Sequence, residues 1–207
     1  MNRPGKFFVV SAPSGAGKTS LVNGLLGRLQ ELCVSVSYTT RPPRPHDEEG
    51  KDYHFITHEE FTHRIALGDF LEYATVYGHY YGTGKNWVLD QLNRGVDVIL
   101  EIDWQGAKQV RMLFPDATSI FILPPALSVL RDRLLQRGQD PSSVIESRME
   151  KAQQEMAHYA EFDYLVINDD FDHALENLVH IIEAERLKCD LQASKWMRLL
   201  ADLIETH

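Results

Sequence analysis

The chain has 207 residues, of which 43% are hydrophobic and 25% charged, and its formal net charge is −9 at pH 7. This length suits one domain, or a core with inserts. The negative charge argues against general binding to DNA, RNA or anionic membranes, because it repels polyanions. The two cysteines form no CxxC pair, and no apolar run approaches the roughly 18 to 20 residues of a membrane span. We therefore expect a cytoplasmic protein.

The first predicted elements are a short strand and a helix that are joined by a glycine-rich stretch. The strand covers Phe7 to Ser11. Apolar residues at helical spacing as far as Leu32 predict a helix that begins near Lys18. A further strand is predicted from the alternation between Val34 and Tyr38.

The segment from Thr39 to Gly84 interrupts this rhythm. It begins with the proline- and charge-rich "TTRPPRPHDEEGKDYHF", has a helical pattern at Glu59 to Leu67 and ends in "FLEYATVYGHYYGTG". We predict a small, partly β insert. His58 and His63 of "HEEFTH" are five residues apart, which places them about 140° apart around a helix, so no zinc site is expected.

After the insert, strands alternate with helices. Helices are predicted at Asn86–Arg94, Gly106–Leu113, Ser128–Arg137, Ser142 to about His158, Phe171–Leu187 and Leu191–Ile204, and strands at Val96–Ile102, Thr118–Leu123 and Tyr164–Ile167. This order predicts an α/β fold, a parallel sheet flanked by helices on both faces.

The last predicted helix has an apolar stripe. Its members are Leu191, Trp196, Leu199, Leu200 and Leu203. We expect the stripe to pack on the protein's own core. A partner helix, and with it a homo-oligomer, is the alternative.

The stretch "SAPSGAGKTS" at residues 11–20 nearly fits the phosphate-loop pattern G-x-x-x-x-G-K-[ST], with Ala12 in place of the first glycine. Its position between a strand and a helix is the context such a loop requires. Backbone N–H groups and the helix N-terminus attract phosphate, Lys18 can reach the outer phosphates and the Thr19 hydroxyl can bind Mg²⁺. A methyl group fits at Ala12 if φ there is negative. The predicted loop residues are Ala12, Pro13, Ser14, Gly15, Ala16, Gly17, Lys18, Thr19 and Ser20.

The stretch "VILEIDWQG" is an apolar strand that ends in Glu101 and Asp103. Alternation along a strand places both carboxylates on one face, at the sheet edge where ligands of parallel sheets bind. Such an acidic strand end is typical of the partner of a phosphate loop near its metal. Asp103 is also suited to cap the following helix, and the two roles are compatible.

Arg41 and Arg44 stand out in the insert because the chain is otherwise acidic. Pro42 and Pro43 between them stiffen the segment, and two guanidinium groups can clamp one phosphate bidentately. A solvated loop, whose arginines balance the acidic residues 47–49, is the alternative.

Five stretches in this order resemble the guanylate kinase family, the bacterial enzymes in particular: "SAPSGAGKTS", "SYTTRPPRPHDEEGKDYHF", "FLEYATVYGHYYGTG", "ILEIDWQGA" and "VINDD". The resemblance extends to about residue 187. It implies ATP-dependent phosphorylation of GMP to GDP, and of dGMP, with Mg²⁺. It also implies a P-loop core (1–36, 84–127 and 157–207), a mixed-β GMP-binding insert (37–83) and a helical lid (128–156).

The resemblance assigns residues to GMP. The acceptor phosphate would contact Ser37, Arg41, Arg44, Tyr53 and Tyr81, and guanine would contact Glu72, Thr83 and Glu101. The Glu72 carboxylate can accept from guanine N1–H and from the N2 amino group together, whereas adenine presents a lone pair at N1. Such a bidentate contact discriminates by roughly 1–3 kcal/mol. Without the resemblance, Glu72 would be read as a surface acid.

The remaining assignments concern ATP and catalysis. Arg137 and Arg148 match lid arginines that reach ATP and the transferring phosphoryl group, with help from Arg133, and Asn168 matches a position near adenine. From the sequence alone, the arginines could be solvated and Asn168 could form a turn. Catalysis is assigned to Lys18, Arg41, Arg137 and Arg148, and Mg²⁺ to Thr19 and, through water, to Asp103.

The expected mechanism is direct in-line transfer without a catalytic base, since the acceptor phosphate is already ionised. Insert and lid are expected to close over the substrates, flexing near Gly138 and Pro141. The expected partners are ATP and GMP, with no nucleic acid polymer and no membrane. Two other interpretations remain: a kinase for another nucleoside monophosphate, or a related binding module that has lost catalysis.

Overall fold

The computed structural model describes residues 3–136 and 142–204, except for the side chains of 142–144. The strands are β1 (Phe7–Ser11), β2 (Leu32–Val34), β3 (Ser37–Thr39), β4 (Tyr53–Phe55), β5 (Phe70–Val76), β6 (His79–Gly84), β7 (Asp97–Glu101), β8 (Thr118–Leu123) and β9 (Tyr164–Ile167). The helices are α1 (Lys18–Arg28), α2 (His58–Leu67), α3 (Lys85–Asn93), α4 (Trp104–Leu113), α5 (Leu127–Gln136), α6 (Ser142–Met156), α7 (Phe171–Arg186), α8 (Cys189–Lys195) and α9 (Met197–Ile204), with a 3-10 turn at Ala157–Glu161. None of the described helices is long and apolar enough to cross a membrane.

The main sheet is parallel, with the order β2-β7-β1-β8-β9. All five residues of the central strand β1 are buried, as expected for a strand that is covered on both faces. Phe8 and Val10 face one core with α1 and α7, while Phe7 and Val9 face another with α3 and α4. The predicted α/β architecture is therefore confirmed.

A second, mixed sheet has the order β4-β3-β6-β5. Helix α2 covers it through Phe61, which is fully buried and stacks on Phe70 and Tyr80. Strands β5 and β6 form a hairpin in which Glu72 lies opposite Thr83. This pairing brings residues eleven positions apart in the sequence to one place on the sheet.

Two boundaries near residue 34 differ from the sequence prediction. Helix α1 ends at Arg28, and Leu32 belongs to β2 instead. The strand predicted at 34–38 is two strands in different sheets, since β2 pairs with β7 and β3 pairs with β4 and β6. The alternation of apolar and polar residues continues from β2 into β3, and such a pattern does not show that the chain passes from one sheet to another.

The C-terminal region also differs from its prediction. The single helix expected at 191–204 is two helices, α8 and α9, that meet at Trp196. Leu191 is buried, but Leu199 and Leu203 are 50% and 65% exposed. The expected packing of the whole stripe on the core is therefore wrong for α9. Helical spacing shows that one face is apolar, but not what covers it.

Buried charges tie the N-terminal segment and α7 to β7. The Asp97 side chain is fully buried, and its two oxygens accept hydrogen bonds from Arg3 at 2.7 and 2.9 Å. Arg186 Nε of α7 donates to the same carboxylate at 2.7 Å, as does the Lys6 backbone N–H. A buried carboxylate is tolerated only with such partners.

We predict that Asp97→Asn lowers the free energy of unfolding by about 3 kcal/mol, because two guanidinium groups lose their buried counter-ion. Urea unfolding measures it. Asp90→Asn is the matched control, since Asp90 pairs with Arg94 at 3.4 Å on the surface and such pairs contribute about 0.5 kcal/mol or less. Equal effects of the two substitutions would contradict the prediction.

Candidate active site

The glycine-rich loop between β1 and α1 has the backbone that a phosphate loop needs. Gly15 and Gly17 have φ values of 93° and 96°, and Gly17 caps α1. This left-handed conformation favours glycine. Among the described residues, positive φ outside glycine occurs only at Glu31 and Tyr77, so Ala12 meets the condition under which its methyl group fits.

The loop is fixed from behind by two side chains on the Ala16 carbonyl. Asn168 Nδ2 donates to it at 2.7 Å and Arg133 Nη1 at 3.2 Å. Arg133 also donates to the Asn168 carbonyl at 3.1 Å. A Cβ atom at Gly17 would lie 2.4 Å from Asn168 Nδ2. Asn168 is therefore a buried support of the loop, not a turn former.

A pocket lies next to this support. It is lined by Gly15, Gly17, Ser20, Arg133, Gln136, Asn168 and Phe171. An apolar ring, a guanidinium group and an amide border the space beyond the loop, which suits a flat heteroaromatic base. This is the side on which the sequence interpretation expected adenine.

The end of β7 meets the start of α1. Lys18 Nζ donates to the Ile102 carbonyl at 3.1 Å. The Thr19 hydroxyl donates to the Glu101 carboxylate. Glu101, which the resemblance assigned to guanine, therefore lies against the hydroxyl predicted to bind the metal.

Asp103 takes the position of a helix cap. One of its carboxylate oxygens accepts from the Gly106 N–H at 2.9 Å, and the other accepts from Gln105 Nε2 at 3.0 Å. Its charge is close enough to Glu72 to raise the pKa of that carboxyl. Asp103 therefore faces the region of Glu72, whereas Glu101 faces Thr19.

These oxygen donors fit a magnesium ion that arrives with a nucleotide. The Thr19 hydroxyl and the Glu101 carboxylate are adjacent. No group of three His, Cys, Asp or Glu side chains arranged to hold a metal occurs within 3–136 and 142–204. Mg²⁺ commonly binds through one or two protein oxygens together with substrate phosphates and waters, and this donor set suits that mode.

Arg41 of the insert is held in place. It donates to Asp47 at 2.7 Å, and its side chain is only 11% exposed. Its guanidinium carbon lies 5.3 Å from the centre of the Tyr53 ring. Burial alone would raise the pKa of the Asp47 carboxyl. Hydrogen bonds from the Arg44 backbone N–H and from the Arg41 side chain outweigh this effect and lower the pKa. These contacts contradict a fully solvated loop at this position.

Tyr53 lies between the second sheet, where it is close to Tyr81, and Glu101 at the end of β7. It lies opposite Ser37 in the sheet register, and its ring centre is 5.8 Å from that of Tyr81. Burial, together with Tyr81 and Glu101, raises the pKa of Tyr53 to about 12. The phenol therefore stays protonated at neutral pH and can donate a hydrogen bond to an anion.

Glu72 lies in an enclosed position on β5. It is 4% exposed, and burial raises its pKa to about 7, with the Asp103 charge adding to the shift. The buried Thr83 hydroxyl is close to the carboxylate but makes no well-formed hydrogen bond among the described residues. A carboxylate and a hydroxyl thus remain available to a polar ligand.

Gly106 is what lets α4 approach this pocket. A Cβ atom there would lie 2.4 Å from Glu72 Oε2. The sequence interpretation missed this role. The only local sign of this role is a glycine in the first turn of a helix. The residue that it accommodates, Glu72, is 34 positions away in the sequence.

Of the predicted lid arginines, Arg148 can be placed. It lies on α6 with its guanidinium carbon 5.8 Å from the centre of the Tyr77 ring. Arg137, together with the expected flexing point at Gly138 and Pro141, lies outside the described residues. The structure thus brings together the loop, Glu101, the Arg41 clamp and the Glu72 pocket.

Glu155 of α6 was also missed by the sequence interpretation. Its carboxylate lies close to the Ser14 backbone N–H of the loop. Burial raises the pKa of Glu155, and the charge of Asp103 adds to the shift, while Lys18 opposes it. Helix α6 therefore reaches the phosphate loop as well as the second sheet.

Comparison with known proteins gives a consistent result. The family model described as "Guanylate kinase" matches residues 4–185. Guanylate kinase of Coxiella burnetii is 59% identical over 198 residues, covering 96% of each chain, and that of Hahella chejuensis is 52% identical over 203 residues, covering 98% of each. The crystal structure of guanylate kinase from Anaplasma phagocytophilum has a TM-score of 0.80 and 32% identity, with coverage of 97% of this chain and 95% of that one.

These matches extend over nearly the whole chain, through both sheets and every part of the site described above. The chain belongs to the guanylate kinase family.

Proposed function

We propose that the chain transfers the γ-phosphoryl group of ATP to GMP, giving ADP and GDP, and that dGMP is a second acceptor. The observation that carries the proposal is the family match over residues 4–185, in a chain that keeps Lys18 and Thr19 of the phosphate loop. A binding module without catalysis would have no need of either side chain.

On the donor side, the N–H groups of the loop and Lys18 bind the ATP phosphates. Asn168 and Arg133 hold the loop in position through the Ala16 carbonyl. The adenine ring lies in the pocket next to Phe171. Thr19 and Glu101 hold Mg²⁺, which when bound neutralises charge on the transferring phosphates.

On the acceptor side, the GMP phosphate lies between Arg41, Arg44 and the two tyrosines Tyr53 and Tyr81, with Ser37 at the same end of the sheet. Asp47 and the Tyr53 ring orient Arg41 before the substrate arrives. Less side-chain entropy is lost on binding when the clamp is already ordered.

In the base pocket, guanine binds Glu72 and Thr83. Asp103 is the second acid near the base, because its charge acts on Glu72. Glu101 serves the metal, because it contacts Thr19. The two acids of "LEID" thus exchange the roles that the resemblance suggested for them.

Transfer requires positioning and charge, but no base. Lys18 and Arg41 hold donor and acceptor phosphates in line, and the lid arginines Arg137 and Arg148 stabilise the charge of the transition state. Insert and lid exclude water, which would otherwise hydrolyse ATP. The boundaries of insert and lid, the cytoplasmic location and a homo-oligomer remain predictions.

The proposal is tested by incubating the protein with ATP, Mg²⁺ and, in turn, GMP, dGMP, AMP, CMP, UMP and dTMP, and following ADP. We expect turnover with GMP and dGMP only, and a loss of at least about a hundredfold in Lys18→Ala. Turnover with another monophosphate would refute the guanine assignment. Binding of GMP without any transfer would instead indicate the binding module.

The use of GMP should depend on the protonation of Glu72. Because the Glu72 pKa is about 7, its carboxyl becomes protonated below that pH and loses an acceptor for guanine. We expect kcat/KM for GMP to fall as pH decreases through 7. Glu72→Gln should keep only the titration of the substrate phosphate, near pH 6. The same profile for both proteins would contradict the assignment.

The role of Gly106 can be tested by adding a methyl group at this position. We expect Gly106→Ala to raise KM for GMP at least about tenfold while KM for ATP stays within about twofold, because the new methyl group displaces the Glu72 carboxylate. Initial-rate kinetics measure both constants. Gly27→Ala in α1 is the control, since a Cβ atom there has no neighbour within 4 Å. An unchanged KM for GMP in Gly106→Ala would refute this role.

A further inference from the structure

The turn that joins β5 and β6 has an unusual residue. Tyr77 and Gly78 connect Val76 to His79, which face each other in the sheet register. Their φ values are 50° and 80°. A two-residue turn with positive φ at both positions favours Asn-Gly, and a bulky aromatic residue is disfavoured at its first position. The tyrosine is therefore not explained by the needs of the hairpin.

Contacts with α6 give the ring a role. Lys151 Nζ lies 4.3 Å from the centre of the Tyr77 ring, and the guanidinium carbon of Arg148 lies 5.8 Å from it. Both distances are in the range of cation–π attraction. Arg148 and Lys151 are three residues apart and share one face of the helix. The tip of the hairpin thus lies against two cations of α6.

This contact crosses a cleft between the second sheet and α6. The tip of the hairpin, including Tyr77, lines the cleft on the sheet side, and Lys151 and Glu155 line it on the helix side. The same hairpin carries Glu72 and Thr83. The tyrosine thus connects the strands of the acceptor pocket to the helix that carries Arg148.

We propose that Tyr77 is a positioning residue that couples occupation of the acceptor pocket to the placement of Arg148. This inference rests on the proposed function, in which Arg148 assists phosphoryl transfer. GMP bound to β5 and β6 fixes the hairpin, and the ring at its tip then favours one placement of the α6 cations. Arg148 reaches the transferring phosphoryl group from that placement.

Two substitutions separate this role from a structural one. Tyr77→Asn removes the ring but suits the left-handed turn better, so the melting temperature should stay the same or rise. Tyr77→Phe keeps the ring face. We expect kcat to fall about three- to thirtyfold in Tyr77→Asn, the range of two cation–π contacts, and to stay within about twofold in Tyr77→Phe. An undiminished kcat in Tyr77→Asn would overturn the proposal.

A double-mutant cycle tests whether the effect passes through Arg148. In the Arg148→Ala background, Tyr77→Asn should cause no further loss of kcat. The same loss in both backgrounds would overturn the coupling. If Arg148→Ala lowers kcat and Tyr77→Asn does not, the proposed role of Tyr77 is refuted while the assignment of Arg148 stands. If Arg148→Ala has the kcat of the unsubstituted protein, the assignment of Arg148 fails, and this inference with it.

Discussion

The architecture depends on one constraint: a loop that offers N–H groups to phosphate has few left to hold itself in place, and within this loop the Ala16 N–H bonds to the Pro13 carbonyl at 3.1 Å. The Ala16 carbonyl takes over that task, accepting from Asn168 at 2.7 Å and from Arg133 at 3.2 Å. Gly17 is needed both for its φ of 96° and because any Cβ atom would collide with Asn168. The end of β9 and helix α5 therefore meet at the loop, and the pocket that we propose for the donor base lies where they meet.

The second organising feature is the end of β7. Glu101 is the last residue of the strand and contacts Thr19, whereas Asp103 caps α4 and acts on Glu72. Two acids that are separated by one residue therefore have different partners, the Thr19 hydroxyl for Glu101 and the N-terminus of α4 for Asp103. Strand alternation predicts one shared face for them, but the strand ends before the second acid and the helix turns it away.

Apolar periodicity and short motifs predicted the features that depend only on neighbouring residues in the sequence. The parallel sheet and the phosphate loop follow from apolar strands, glycine and the Lys18-Thr19 pair, and the resemblance added the family. Contacts between distant segments could not be predicted in this way. Gly106 against Glu72 and Tyr77 against α6 join different layers, and neither leaves a periodic signal. The exposed face of α9 could not be predicted either, since spacing does not reveal what packs on a helix.

The central claim is that this site holds two nucleotides, with the acids divided between metal and base. The most direct test is a crystal structure with GMP, Mg²⁺ and a non-hydrolysable ATP analogue. We expect the analogue's phosphates on the loop, the metal next to Thr19 and Glu101, and guanine between Glu72 and Thr83 with Asp103 nearby. Guanine bound to Glu101, or GMP bound away from β5 and β6, would contradict it.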